Sequence, residues 1–308
     1  MVTGGFLLKY NMEKIYIHEV GMRDGLQVEQ QIVPTETKIK WIKELMQTGV
    51  DIIQVGSFVH PVKVPTMADT DDLFKYFSIP GNKNSNTKLS GLVLNEKGLE
   101  RGMAAGVEMF CMGVSASETH SKKNTGMTTD EALARIIPMA KNAVSAGKEV
   151  QVSVQSAFGC GFEGIIPKEQ VIRIVEKYIE NGILNISLAD TAGHANPEQV
   201  EDIISSIYKI NSDTNLACHF HDTYGMGIAN CYIAYKNGVK YFESAFAGLG
   251  GCPFTAKASG NVCTEDLVNM FNKFGIREDI DLKMILEVSK EAEEFFGREL
   301  PGKILKVS

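Results

Sequence analysis

Two histidines two residues apart, His219 and His221 in ACHFHDTYG, are the pair in this sequence best spaced to hold a metal ion. On a β-strand alternate side chains share a face, so both imidazoles point one way while Cys218 and Phe220 point the other, toward covering helices. Two nitrogens converging from one rigid strand make half of a metal site, and neutral imidazole is a common ligand. The alternative is two histidines that merely hydrogen-bond in a polar setting. Arg23 and Asp24, in EVGMRDGLQ, set a fixed cation beside a hard oxygen donor, or else form a local ion pair. Asp190, in LADTAG, can accept a hydrogen bond from a ligand or reacting group, or cap a helix. The segment GLGGCPFTAKASGN is rich in Gly and holds Cys252, Lys257 and Asn261. Such a loop can bend over a ligand, and Cys252 in it is either a proton donor or acceptor or a small buried thiol.

A scaffold that brings these segments together is legible in the hydrophobic pattern. Short apolar, β-branched runs recur at 15–20, 51–56, 89–95, 108–114, 149–154, 183–189, 216–221 and 241–247. Helical patterns separate them, among them PTETKIKWIKELMQTG, TTDEALARIIPMAKNAVSAG, PKEQVIRIVEKYIENG and NPEQVEDIISSIYKIN, several ending in Gly before the next run. Eight β-then-α units predict a closed parallel (β/α)₈ TIM barrel, because right-handed crossovers put the helices outside. The open doubly wound sheet is the rival, but its phosphate-loop signal G-x-G-x-x-G is absent after the first run. In a barrel the site lies at the C-terminal ends of the strands, where the polar residues named above fall. Residues 285–300 predict an additional C-terminal helix that covers the barrel.

Composition bounds the rest. At 308 residues and 44% hydrophobic side chains, the chain suffices for one large core, expected over 13–308 after a loose extension at 1–12. A net charge of −7 argues against nucleic acid or anionic lipid as partner and in favour of a small molecule. Six cysteines without a C-x-x-C pair, and no apolar run of membrane-spanning length, point to a reducing, cytoplasmic setting.

Taken in order, EVGMRDGLQVE, SFVHPVKVPTMAD, SASETHSKKN, LADTAG, HFHDTYGMGIAN and GLGGCPFTAKASGNVCTED resemble the 3-hydroxy-3-methylglutaryl-CoA lyase family of metal-dependent barrel lyases, from about residue 14 to residue 300. The resemblance implies Asp24, His219, His221 and Asn261 as ligands of Mg²⁺ or Mn²⁺, and an acyl-CoA substrate cleaved to acetyl-CoA and a keto acid. It implies that Arg23 faces the thioester oxygen, that Cys252 moves a proton at the acetyl carbon, and that Asp190 takes the hydroxyl proton. Gln27, Gln54 and Ser57 are the implied substrate contacts. Proteins of this type are frequently homodimers, although no interface is legible here. The family pattern carries Glu where this chain has Gln54, and an amide and a basic residue are common where the turn reads VEQ. These departures leave the acyl group open. The condensing synthases of the isopropylmalate and citramalate type are the alternative, but they typically read R-D-G-E-Q and H-x-H-N-D where this chain has RDGLQ and HFHDTYG.

Overall fold

The structure is a computed structural model that describes residues 14–84, 86–251 and 260–308. The expected extension at 1–12, and Cys252 and Lys257, lie outside the described residues. Eight parallel strands follow one another round a closed barrel: β1 (Tyr16–Glu19), β2 (Ile52–Ser57), β3 (Lys88–Leu92), β4 (Met109–Ser115), β5 (Glu149–Gln155), β6 (Asn185–Asp190), β7 (Asn215–Phe220) and β8 (Tyr241–Ser244). Closure comes from β1 pairing with β8, with His18 opposite Glu243 and Glu19 opposite Ser244. This is the TIM barrel that the eight apolar runs predict.

The crossover helices form where the sequence carries start and stop signals. In the helix Thr129–Ser145, the Thr128 hydroxyl accepts from the Glu131 backbone N–H while the Glu131 carboxylate accepts from the Thr128 N–H, a reciprocal cap. Leu133, Ile136, Ala140 and Ala143, three or four residues apart, form its buried face, and Gly147 follows at φ +77°. The C-terminal helix Leu282–Phe296 buries Ile285, Val288 and Ala292. Trp41 stacks edge-on against its Phe295 at 5.8 Å and donates from Nε1 to Glu291 at 3.1 Å. It therefore covers its own barrel, as its amphipathic pattern predicts. A further short helix, Glu118–Thr125, begins within SASETHSKKN and ends one residue beyond it, capped by the Ser117 hydroxyl accepting from the His120 N–H. Among the described residues no helix is long and apolar enough to cross a membrane.

Inside the barrel the strand residues form two kinds of layer. The bottom is plugged by Ile52, Met109 and Tyr241, with Tyr16 stacked on Tyr241 at 4.6 Å. Above the plug, alternation sets polar side chains at His18, Gln54, Ser90, Gln151 and Glu243. Their hydrogen bonds run across strands: His18 Nε2 lies 2.8 Å from the Ser90 hydroxyl. This middle layer is the floor of the cleft described below.

Two carboxylates on the outer side of the barrel fasten the segment after β8. Glu19 accepts from the N–H groups of Gly21 at 2.7 Å and Phe246 at 3.1 Å and from the Thr264 hydroxyl. Glu265 accepts from the Ala247 N–H at 3.0 Å, and its other oxygen is buried with no hydrogen-bond partner among the described residues. Burial pushes Glu19 up to about 7 and Glu265 up to about 8. The unfolded chain releases these protons near pH 4.5, whereas the folded protein keeps them. Stability from this source is therefore fully present below that pH and declines as pH rises through the folded values. The melting temperature is expected to fall between about pH 4.5 and 8, and less steeply in Glu265→Gln, whose amide oxygen still accepts from Ala247. Circular-dichroism melts at several pH values check this; parallel curves for the two proteins would remove Glu265 as the cause.

Candidate active site

At the C-terminal ends of the strands the barrel opens into a cleft of about 500 Å³, whose wall includes Arg23, Asp24, Gln54, His219, His221 and Glu243. The two histidines reach it together from the end of β7. Their outward neighbour Phe220 is fully buried, its ring 5.5 Å from that of Phe158. Arg23 and Asp24 come from a single π-helical turn, Gly21–Gly25, in which the Val20 carbonyl accepts from the N–H groups of both residues. Gly21 is required at its start, because a Cβ there would lie 2.5 Å from the Phe246 ring. Asn261 arrives from the segment after β8, held beside His221 by an antiparallel bridge.

The donor atoms of Asp24, His219 and His221 lie within 4.8 Å of one another. The Nε2 atoms of the two histidines are 3.1 Å apart, and His219 Nε2 is 3.9 Å from Asp24 Oδ2. Two ligands held at right angles about 2.1 Å from one ion would themselves lie about 3 Å apart, so the imidazole spacing fits shared coordination. Asn261 donates from Nδ2 to Asp24 Oδ2 at 2.9 Å and to the Leu249 carbonyl at 3.0 Å. Its Oδ1 is buried without a hydrogen-bond partner among the described residues, which leaves a lone pair for a cation. The residues present therefore fit a metal ion with mixed nitrogen and oxygen ligands and no thiolate.

Burial and mutual charge set the protonation of these groups differently. Burial holds His221 down to about 4, with His219 adding to the effect, so this ring is neutral at physiological pH. Burial alone would also lower His219, but the hydrogen bond to Glu243 and the charges of Asp24 and Glu243 raise it. Burial would raise Asp24; the Arg23 guanidinium and the two imidazoles outweigh it and hold the carboxyl well below the usual range. The Glu243 carboxylate lies 3.0 Å from His219 Nδ1. Burial would raise Glu243 as well, but the hydrogen bond and charge of that imidazole pull it down to about 2.

Arg23 donates from Nε to Gln54 Oε1 and pairs through Nη1 with Asp24 Oδ1. The local Arg–Asp ion pair is present, and it stands inside the cleft. Gln27 also lines the cleft, its backbone carbonyl accepting from the Thr66 hydroxyl at 3.1 Å. Two expected site residues stand apart. Ser57 is fully buried at the end of β2 and is not part of the cleft wall. Asp190 lies outside the cleft wall as well. Strand register sets Ala189 beside His219 and Asp190 beside the outward-facing Phe220, so Ser187, Ala189 and Thr191 line the cleft and Asp190 lies behind them. Its two oxygens accept from the N–H groups of His194 and Ala195, at 2.8 and 3.2 Å. Burial pushes it up to about 7. Glu243 is the cleft residue that sequence reasoning misses. A charged side chain within the apolar run YFESAFA is its only signal.

Comparison with known proteins agrees with this geometry. The HMGL-like family model matches residues 14–291. A hydroxymethylglutaryl-CoA lyase of Bacillus subtilis is 38% identical over 96% of this chain and 97% of its own. An (R)-citramalyl-CoA lyase of Chloroflexus aurantiacus is 35% identical over 96% of this chain and 95% of its own. The solved structure of an HMG-CoA lyase from Acinetobacter baumannii, in complex with coenzyme A and 3-methylmalate, superposes with a TM-score of 0.90 at 37% identity. That match covers 97% of this chain and 96% of the other.

Proposed function

The chain belongs to the HMGL-like family, and from that premise we propose that it is a divalent-metal-dependent lyase that cleaves 3-hydroxy-3-methylglutaryl-CoA to acetyl-CoA and acetoacetate. The observation that carries this reading is the cluster of Asp24, His219 and His221, with Arg23 beside it, at the mouth of the barrel. Asp24, His219, His221 and Asn261 would hold the ion, and Mg²⁺ or Mn²⁺ suits their hard and borderline donors. When bound, such an ion supplies a Lewis acid that lowers the pKa of a substrate hydroxyl.

Cleavage then requires that the tertiary hydroxyl lose its proton, which in this reading passes to solvent water in the open cleft. The carbon–oxygen bond becomes a ketone, and the electron pair of the breaking carbon–carbon bond moves onto the thioester as an enolate. Arg23 faces that developing charge. Gln54 and Asp24 hold its guanidinium from two sides, so the cation is oriented before the substrate arrives. Cys252 is assigned the proton that converts the enolate to acetyl-CoA. The Asp190 carboxyl has a basicity suited to proton transfer near neutrality, yet both its oxygens are engaged by backbone N–H groups. In this reading Asp190 shapes the turn that follows β6 and does not itself take the hydroxyl proton. The free, buried cysteines among the described residues are consistent with a cytoplasmic enzyme.

A specific relative defines the nearest competing substrate, since the Chloroflexus protein is named for citramalyl-CoA. Release of acetyl-CoA from 3-hydroxy-3-methylglutaryl-CoA and from both enantiomers of citramalyl-CoA, compared as kcat/KM, separates the two. The first substrate is expected to lead; a clear preference for a citramalyl-CoA would keep the lyase and replace its acyl group. The condensing-synthase alternative has no observation here that favours it.

A further inference from the structure

Glu243 enters the cleft from β8 at the strand position directly beside His219 on β7, and both side chains are buried. Building on the metal reading above, we infer that Glu243 is a positioning residue that fixes the tautomer of His219. An ionised carboxylate can only accept a hydrogen bond. With its Oε2 3.0 Å from His219 Nδ1, the ring proton belongs on Nδ1, and the lone pair of Nε2 is turned toward His221 Nε2 and Asp24. Strands β7 and β8 are hydrogen-bonded neighbours of the barrel, so the spacing between carboxylate and ring is set by the sheet and not by a loop.

The rest of the surroundings points the same way. The neighbouring polar residue in the barrel interior, His18, directs its Nε2 to Ser90 at 2.8 Å, and its Nδ1 has no hydrogen-bond partner among the described residues. Glu243 is thus not hydrogen-bonded by His18; the side chains that face its carboxylate are His219 and the Ser187 hydroxyl. His221 is held differently. Its Nδ1 has no partner among the described residues, and its position comes from the bridge to Asn261. The two ligand imidazoles therefore have unequal support, and only His219 depends on a carboxylate behind it. Partners of this kind typically contribute about 10- to 100-fold to metal affinity, because they hold the ring and raise its basicity.

The test is the Mn²⁺ dissociation constant, read by electron paramagnetic resonance on ion-free full-length protein for wild type, Glu243→Gln and Glu243→Leu. Gln keeps an acceptor but loses the charge, and Mn²⁺ is expected to bind about 10-fold more weakly; Leu removes both, and about 100-fold is expected. Long-range ¹H–¹⁵N spectra of Mg²⁺-loaded wild type at about pH 8 should show the His219 proton on Nδ1, a readout that needs no variant to fold. Unchanged Mn²⁺ affinity in Glu243→Gln and Glu243→Leu, or a proton on Nε2, would overturn the inference while leaving the metal site in place. Wild type that binds no Mn²⁺ would instead remove the metal reading itself, and this inference with it.

Discussion

His221→Ala is expected to lower acetyl-CoA release by about a thousand-fold or more while leaving the barrel folded. The magnitude follows from what a bound cation contributes to charge stabilisation in the transition state, several kcal/mol, at about 1.4 kcal/mol per factor of ten. His221 suits the experiment because little else depends on its ring: Nδ1 has no hydrogen-bond partner among the described residues, and the bridge to Asn261 runs through the backbone. Asp24 would be a less clean choice, since its removal also frees Arg23 and the Asn261 amide. Turnover and Mn²⁺ binding are expected to be lost together, with the melting temperature of the ion-free protein nearly unchanged. A variant that binds no Mn²⁺ yet keeps its turnover would separate the reaction from the metal.

Arg23→Met is the second large effect. Removing a preorganised donor from a developing oxyanion typically costs about 3 to 4 kcal/mol, so kcat is expected to fall by about 10² to 10³. Arg23→Lys should behave nearly as badly. The guanidinium presents one nitrogen to Gln54 and another to Asp24, and a single ammonium cannot hold both and still face a substrate oxygen. Because the contribution belongs to the transition state, kcat should fall more than KM rises. Steady-state kinetics of the two variants in saturating Mn²⁺ measure this. A Lys variant with wild-type kcat would show that any positive charge suffices.

Much of this arrangement is legible in the order and type of the residues alone. The eight strands fall within the eight apolar runs to within a few residues, because in a closed parallel barrel their outer faces must be apolar to meet the helices. The spacing of His219 and His221 tells which way their side chains point, since alternation is a property of the strand itself. Register between strands is what local patterns do not carry. Asp190 ends its strand much as His221 follows β7, and on that ground it is expected at the cleft. Its parity is set by pairing with Phe220, which no local pattern reveals. Glu243 escapes for the converse reason. Its neighbour on the adjacent strand, His219, is what gives it meaning, and the two are 24 residues apart in the chain. The π-helical turn that presents Arg23 and Asp24 is legible only as a strand end.

The measurement that tests the central claim most directly is the cleavage of 3-hydroxy-3-methylglutaryl-CoA by protein stripped with a chelator, assayed without metal and after addition of Mg²⁺ or Mn²⁺. The account predicts no acetyl-CoA without metal, and equal amounts of acetyl-CoA and acetoacetate once the ion is restored. Cleavage that persists in ion-free protein, or its absence from folded protein shown to have bound Mn²⁺, would contradict it.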